Sequence, residues 1–164
     1  MTAKDAIRHS MDMSDFVVGK YLEDLDDAAF LVRPIQGMNH IAWQVGHLIS
    51  SERKNIELLK PGSCPPLPEG FDDRHGKNAH ESADPKDFQT KAEYLALWKA
   101  QREATRSVLD SVTEADLASP GPESVRAYAP TVGHVLNMFG GVHPLMHVGQ
   151  FVAVRRSLQK PVAF

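Results

Sequence analysis

A chain of 164 residues with 42% hydrophobic content has the length and the apolar material for one core, so a single domain over residues 1–164 is expected. Its 18 Lys and Arg against 21 Asp and Glu give a formal charge of -3; the basic footprint that grips phosphates is missing, and no nucleic-acid partner is expected. The lone cysteine, Cys64, excludes an intramolecular disulfide, residues 1–10 hold no apolar run of signal-peptide length, and no stretch nears the ~20 apolar residues of a membrane span. A cytoplasmic protein without membrane contact is the default.

Four segments carry helical periodicity. From residue 2 to about 29, Ile7, Met11, Val18, Leu22, Leu25 and Ala29 recur at helical spacings, with Thr2 and Asp5 as a capping pair. A second helix is expected from about 39 to 59, striped by Ile41, Val45, Leu48, Ile56 and Leu59 and stopped by Pro61-Gly62. Thr90 and Glu93 form the capping box of a third, whose Tyr94, Leu95, Trp98, Leu109 and Val112 share a face and which should end near Thr113. The fourth opens at Thr131, just after Pro130, and runs to about 158, with Pro161 beyond it. No strand-period segment competes, so the fold class is all-α, a four-helix bundle.

The connections constrain topology. The link over 32–38 is short, which makes the first two helices antiparallel, whereas the link over 60–89 is long enough for a crossover between helices 2 and 3. The Cys64-Pro65-Pro66-Leu67-Pro68-Glu69-Gly70 run in the long link is loop chemistry, and loops of that length are commonly functional covers or mobile segments.

The most informative stretch is Gly141-Val142-His143-Pro144-Leu145-Met146-His147-Val148-Gly149-Gln150. On a straight helix Val132, Leu136, Phe139, His143, Met146, His147, Gln150, Val154 and Leu158 fall within roughly 60° of His143. Three polar groups thus interrupt an apolar stripe, and burying each without a partner would cost on the order of 1–3 kcal/mol. Two readings follow: paired core histidines satisfied by hydrogen bonds, or two ligands of one metal ion, since imidazoles four residues apart share a helix face.

His47, in Ile41-Ala42-Trp43-Gln44-Val45-Gly46-His47-Leu48-Ile49, is the best third ligand: it lies about 120° off its stripe, but that half of the helix is apolar nearly all round and therefore enclosed. His40 stands two turns away and His134 half a turn out of phase, so neither is included. Pro144 lacks an N–H and frees the carbonyl of Gly140, which predicts a bend near Gly140-Gly141, read here as packing. Gln150 is either a ligand-orienting amide or a packing one. Cys64 reads as a bystander.

These residues resemble a known pattern: Trp-x-x-x-His-Leu (Trp43 to Leu48) in the second helix and His-x-x-x-His-x-Gly-Gln (His143 to Gln150) in the fourth. The chain is similar over most of its length to the DinB-like/YfiT-like metalloenzyme superfamily, which is distinct from the DNA polymerase sharing the DinB name. The resemblance implies an up-down-down-up four-helix bundle, a homodimer, and a divalent metal, zinc or nickel before others, on His47, His143 and His147. It also implies a small-molecule substrate, several members being transferases or isomerases that use glutathione, mycothiol or bacillithiol. Relatives often carry His-Arg around the last ligand, where this chain has Met146 and Val148, and Pro144 is unusual within the spacing.

Three neutral imidazoles leave a coordination position open, as catalytic rather than structural sites do. The leading expectation is a thiol-dependent S-transferase or isomerase with a low-molecular-weight thiol as cosubstrate. The alternatives are a metal-dependent hydrolase using a bound water and a non-catalytic metal-stabilised bundle. For the hydrolase no His-Glu-x-x-His exists, and Glu52 and Asp15 are the candidate bases, both expected on solvated faces.

Overall fold

Threonine side chains fix three of the four long helices. In the computed structural model, which describes residues 1–76, 84–161 and 163, Thr2 accepts from the Asp5 N–H and Thr90 from the Glu93 N–H, each closing a capping box, and Thr131 accepts from the His134 N–H. They open helix α1 (Ala3–Leu22), helix α3 (Lys91–Ser111) and helix α4 over 132–157. Helix α2 (Ile41–Leu59) is capped instead by the His40 ring, whose Nδ1 accepts from the Trp43 N–H at 3.1 Å. Among the described residues every regular element is a helix, and the β-pairing is an isolated bridge between Pro120 and Thr131.

Two helices end sooner than periodicity suggests. The first stops at Leu22; Leu25 reaches the core from the link that follows, and Ala29 from a separate turn, Asp27–Phe30, capped by Asp26. The third stops at Ser111 because Thr113 caps a new turn, Glu114–Leu117. In both places a local side-chain cap outweighs the continuing apolar pattern. Of the long link, residues 77–83 lie outside the described residues; before them it forms a turn, Phe71–Arg74, that packs on α2.

Side-chain pairs set the helix directions. Lys4 and Arg8 meet Asp110, Asp12 meets Arg106 and Lys91 meets the carbonyl of Glu23, so α1 and α3 run oppositely. Glu52 meets Thr105 and Lys60 meets Ser111, so α2 and α3 run the same way, which only a long crossover allows. Ser14 meets Gly140 and Arg155 meets Tyr21, so α1 and α4 are parallel. Val18, Leu22, Ile41, Val45, Ile49, Tyr94, Phe151 and Val154 form the core at one end, and Ile7, Met11, Ile56, Val108, Leu109 and Leu136 continue it toward the other.

Helix α4 departs from a straight rod. It comprises Val132–Asn137, a π-helical turn Met138–Val142, and His143–Ser157. The His143 N–H reaches back five residues to the Met138 carbonyl, and Pro144 offers no N–H to Gly140. The bend expected near Gly140-Gly141 is thus a widened turn. Gly141 permits α1 to press against it: a Cβ there would stand 2.0 Å from Ser10 Oγ. Because the extra residue shifts the helical phase, the wheel drawn for a straight helix misplaces the far half. Val148 and Phe151 are buried while Met146 is 59% exposed.

The stranded Gly140 carbonyl is not left unpaired. Ser14 Oγ donates to it at 2.9 Å and so does Arg102, whose side chain is 2% exposed. Arg102 also pairs with Glu52 at 3.0 Å and Asp15 at 2.9 Å, tying α1, α2, α3 and α4 at one buried point.

Candidate metal centre

The enclosed first half of α2 positions the first imidazole. Ile41 to Gly46, Leu48 and Ile49 are all buried, and His47 between them is half-buried. Its ring lies parallel to the Trp43 indole one turn back, with centroids 4.8 Å apart and planes 6° from coplanar. His47 Nδ1 stands 3.1 Å from the main-chain carbonyl of His75. A carbonyl only accepts, so Nδ1 carries the proton and Nε2 is the ring's unprotonated nitrogen, the form that can ligate a metal.

The other two rings come from the first turns of α4 beyond the π turn. His143 meets Phe139 edge-on at 6.0 Å, and the His143 and His147 centroids are 4.9 Å apart. His47 lies 5.4 Å from the His143 ring and 5.5 Å from that of His147. The candidate ligand atoms of the three all lie within 4.8 Å of one another. Metal–nitrogen bonds of about 2.0–2.1 Å bring such atoms onto one ion after small ring rotations.

Gln44 orients His147. Its amide N–H donates to the Asn39 carbonyl at 2.7 Å, which turns Oε1 toward His147 Nδ1 at 3.0 Å. His147 therefore protonates at Nδ1, and its Nε2 is the free acceptor. Burial, with the neighbouring His143 and His47 rings adding to it, pushes the His147 pKa down to about 3. The ring is neutral across the physiological range, the form a metal requires.

The other candidates lie elsewhere. Glu52 is not on a solvated face: it is 1% exposed, and it is held by Arg102 and the Thr105 hydroxyl. Burial pushes its carboxyl up, opposed by Arg102. Asp15, also expected in solvent, is engaged by Arg102, Arg106 and the Trp98 indole N–H. Cys64 contacts Gln101, and burial raises its pKa, which suits an inert thiol. His134 bonds the Thr131 hydroxyl at the exposed start of α4, and His40 serves as a cap. Gln150 is half-buried and is not the amide that holds His147.

Two site-shaping residues escaped the sequence reading. Gln44 was visible as a polar residue in an otherwise apolar run, but its partner is 103 residues away. His75 had no local signal. Its ring is fully buried, donating from Nδ1 to the Phe71 carbonyl and accepting from the Tyr94 hydroxyl, both at 2.7 Å, and burial lowers its pKa to about 4. It fits against α2 only because residue 46 is glycine: a Cβ there would lie 2.1 Å from His75 Cδ2.

A cavity of about 630 Å³ opens beside His47 and runs along α2, the size of a small-molecule site. No helix among the described residues is long and apolar enough to cross a membrane.

The DinB superfamily profile matches residues 17–151, which takes in all three histidines and most of the bundle. The chain belongs to the DinB superfamily. No curated protein and no solved structure matches it significantly. Within this DinB-superfamily bundle, the stacking of Trp43 on His47 gives the Trp-x-x-x-His spacing a physical sense, as residues four apart are helical neighbours.

Proposed function

We propose that this DinB-superfamily chain binds a divalent metal ion, zinc or nickel, through His47, His143 and His147, and acts as a thiol-dependent S-transferase or isomerase on a small-molecule substrate. The cosubstrate is a low-molecular-weight thiol, and the working form is a cytoplasmic homodimer. The observation that carries the metal reading is the convergence of the three imidazoles, whose candidate ligand atoms lie within 4.8 Å of one another, with Nδ1 of His47 and of His147 each bonded to a fixed acceptor so that Nε2 is the unprotonated nitrogen. Membership of the superfamily supports the rest.

When bound, such an ion lowers the pKa of a coordinated thiol or water and polarises an oxygen as a Lewis acid. The chain itself contributes orientation and shielding. The His75 carbonyl and Gln44 hold two rings in one tautomer, while Trp43 and Phe139 wall the cluster with apolar surface.

Metal analysis of untagged protein tests this, with His47→Ala, His143→Ala and His147→Ala alongside. One equivalent in the wild type and loss in each variant is expected; retention by all three overturns the site. Incubation of the loaded protein with thiols and a panel of electrophiles then tests the reaction. A metal-dependent hydrolase is less favoured, since Glu52 is committed to Arg102 and Thr105. Melting that depends on metal, without turnover of any substrate class, would identify a non-catalytic bundle.

A further inference from the structure

A buried polar chain runs from α3 to the candidate centre. Tyr94 and His75 are both 0% exposed. The Tyr94 hydroxyl donates to His75 Nε2, His75 Nδ1 donates to the Phe71 carbonyl, and the His75 main-chain carbonyl accepts from His47 Nδ1 at 3.1 Å. Each bond points one way, because the Phe71 and His75 carbonyls can only accept. Burial keeps the His75 ring neutral and the Tyr94 phenol protonated, so that direction persists through the physiological range.

Filling space between the helices does not require this chemistry. An apolar pair of similar shape would pack between α2 and α3 without desolvating a hydroxyl and an imidazole, and exchanging a buried hydrogen-bonded pair for apolar groups is close to neutral in stability. What the hydrogen bonds add is direction. The turn Phe71–Arg74 is four residues long, too short to hold its own shape. It is held from outside: Asp72 accepts from Ser50 of α2 at 2.6 Å, and the His75 ring lies between α2 and Tyr94, its centroid 5.6 Å from that of the phenol ring and its plane at 86° to it. Gly46 leaves the room for that ring. With both ring nitrogens bonded, the main chain of the same residue has little freedom, and neither has the carbonyl that faces His47.

We propose that Tyr94 is a positioning residue of the metal centre: by anchoring the His75 ring it aims the His75 carbonyl at His47 Nδ1, and so keeps Nε2 of His47 unprotonated for the ion. The inference rests on the metal reading and deepens it, adding a control point on α3, a helix that carries none of the three ligands. Linkage makes the effect reciprocal. An ion that needs the Nδ1–H tautomer of His47 stabilises the docked turn by the same factor by which the docked turn strengthens binding.

The test compares full-length wild type with Tyr94→Phe, with Tyr94→Phe combined with His75→Leu, and with Val108→Ala, a truncation in the core toward the other end of the bundle. Melting temperature, zinc affinity by chelator competition and the His47 ring tautomer of the metal-free protein by nitrogen-15 NMR are measured on each. Tyr94→Phe is expected to weaken zinc binding about tenfold and to mix the two tautomers of His47. The double variant should regain the melting temperature that Tyr94→Phe loses yet stay weak for zinc, while Val108→Ala should melt earlier with affinity and tautomer unchanged. Zinc should also slow amide exchange over residues 71–75 in wild type, and less so in Tyr94→Phe. Zinc affinity that follows melting temperature across the four proteins, or a His47 tautomer that Tyr94→Phe leaves pure, overturns this inference alone. A wild type that takes up no zinc overturns the metal reading and this inference with it.

Discussion

Arg102 donates to the main-chain carbonyl of Gly140, the acceptor that Pro144 strands three residues before the last histidine of the cluster. A buried guanidinium thus stands in for a missing helical N–H, and the same guanidinium is neutralised by Glu52 on another helix. The π turn that presents His143 is therefore braced from across the core.

Arg102→Met should be among the most damaging single substitutions, costing about 3–5 kcal/mol, because it leaves Glu52 buried without its counter-charge. Glu52→Met combined with Arg102→Met should recover most of that loss. Urea unfolding of the two variants checks this; equal losses would show that the Gly140 carbonyl, not the ion pair, dominates.

Gly46→Ala places a methyl where the His75 ring lies. Overpacking of this kind costs about 1–3 kcal/mol. Displacing His75 also moves the carbonyl that orients His47, so zinc affinity should fall with stability. Gly149→Ala, where a Cβ meets nothing within 4 Å, is the silent control. Calorimetric titration with zinc measures both.

Gln44→Leu removes the acceptor that fixes the His147 tautomer while keeping an apolar fit. Orienting partners of this type are worth 10–100-fold in metal affinity. A drop of about that size, with little change in the zinc site's stoichiometry, is expected; unchanged affinity would make Gln44 a packing residue only.

The metal-free protein should lose stability in acid through its buried rings. The folded pKa values of His75 and His147, about 4 and about 3, lie below the 6.5 of an unfolded histidine, so as pH falls the unfolded chain takes up the protons first. Their contribution is complete above about pH 6.5 and is lost from there down to about 4 for His75 and about 3 for His147. Each ring adds at most about 1.4 kcal/mol per pH unit within its window. Denaturation midpoints between pH 7 and 4 should fall accordingly, and His75→Gln should make the decline shallower.

How much of this was legible depended on the range of each interaction. Thr2, Thr90 and Thr131 announced their helices because a cap bonds within three residues. His143 and His147 were visible as a pair because four residues is one helical turn, and His47 because its neighbours are apolar on nearly all sides. The π turn was not, since a wheel drawn at 3.6 residues per turn has no place for the extra residue; it put Met146 inside and overlooked Val148 and Phe151. Glu52 was assigned to solvent because its partner, Arg102, is 50 residues away. His75 was hidden for the same reason, as its bond to His47 crosses 28 residues of chain.

The widened turn at Met138–Val142 makes segment length itself a determinant of the centre. Closing that turn to ordinary α pitch with every residue kept would swing all that follows by about 100°. Both α4 imidazoles would then leave together, their mutual spacing intact and their letters unchanged. A homologue can thus retain every histidine and still be blind to metal, and aligning such sequences calls for counting residues between Thr131 and His143 before comparing them.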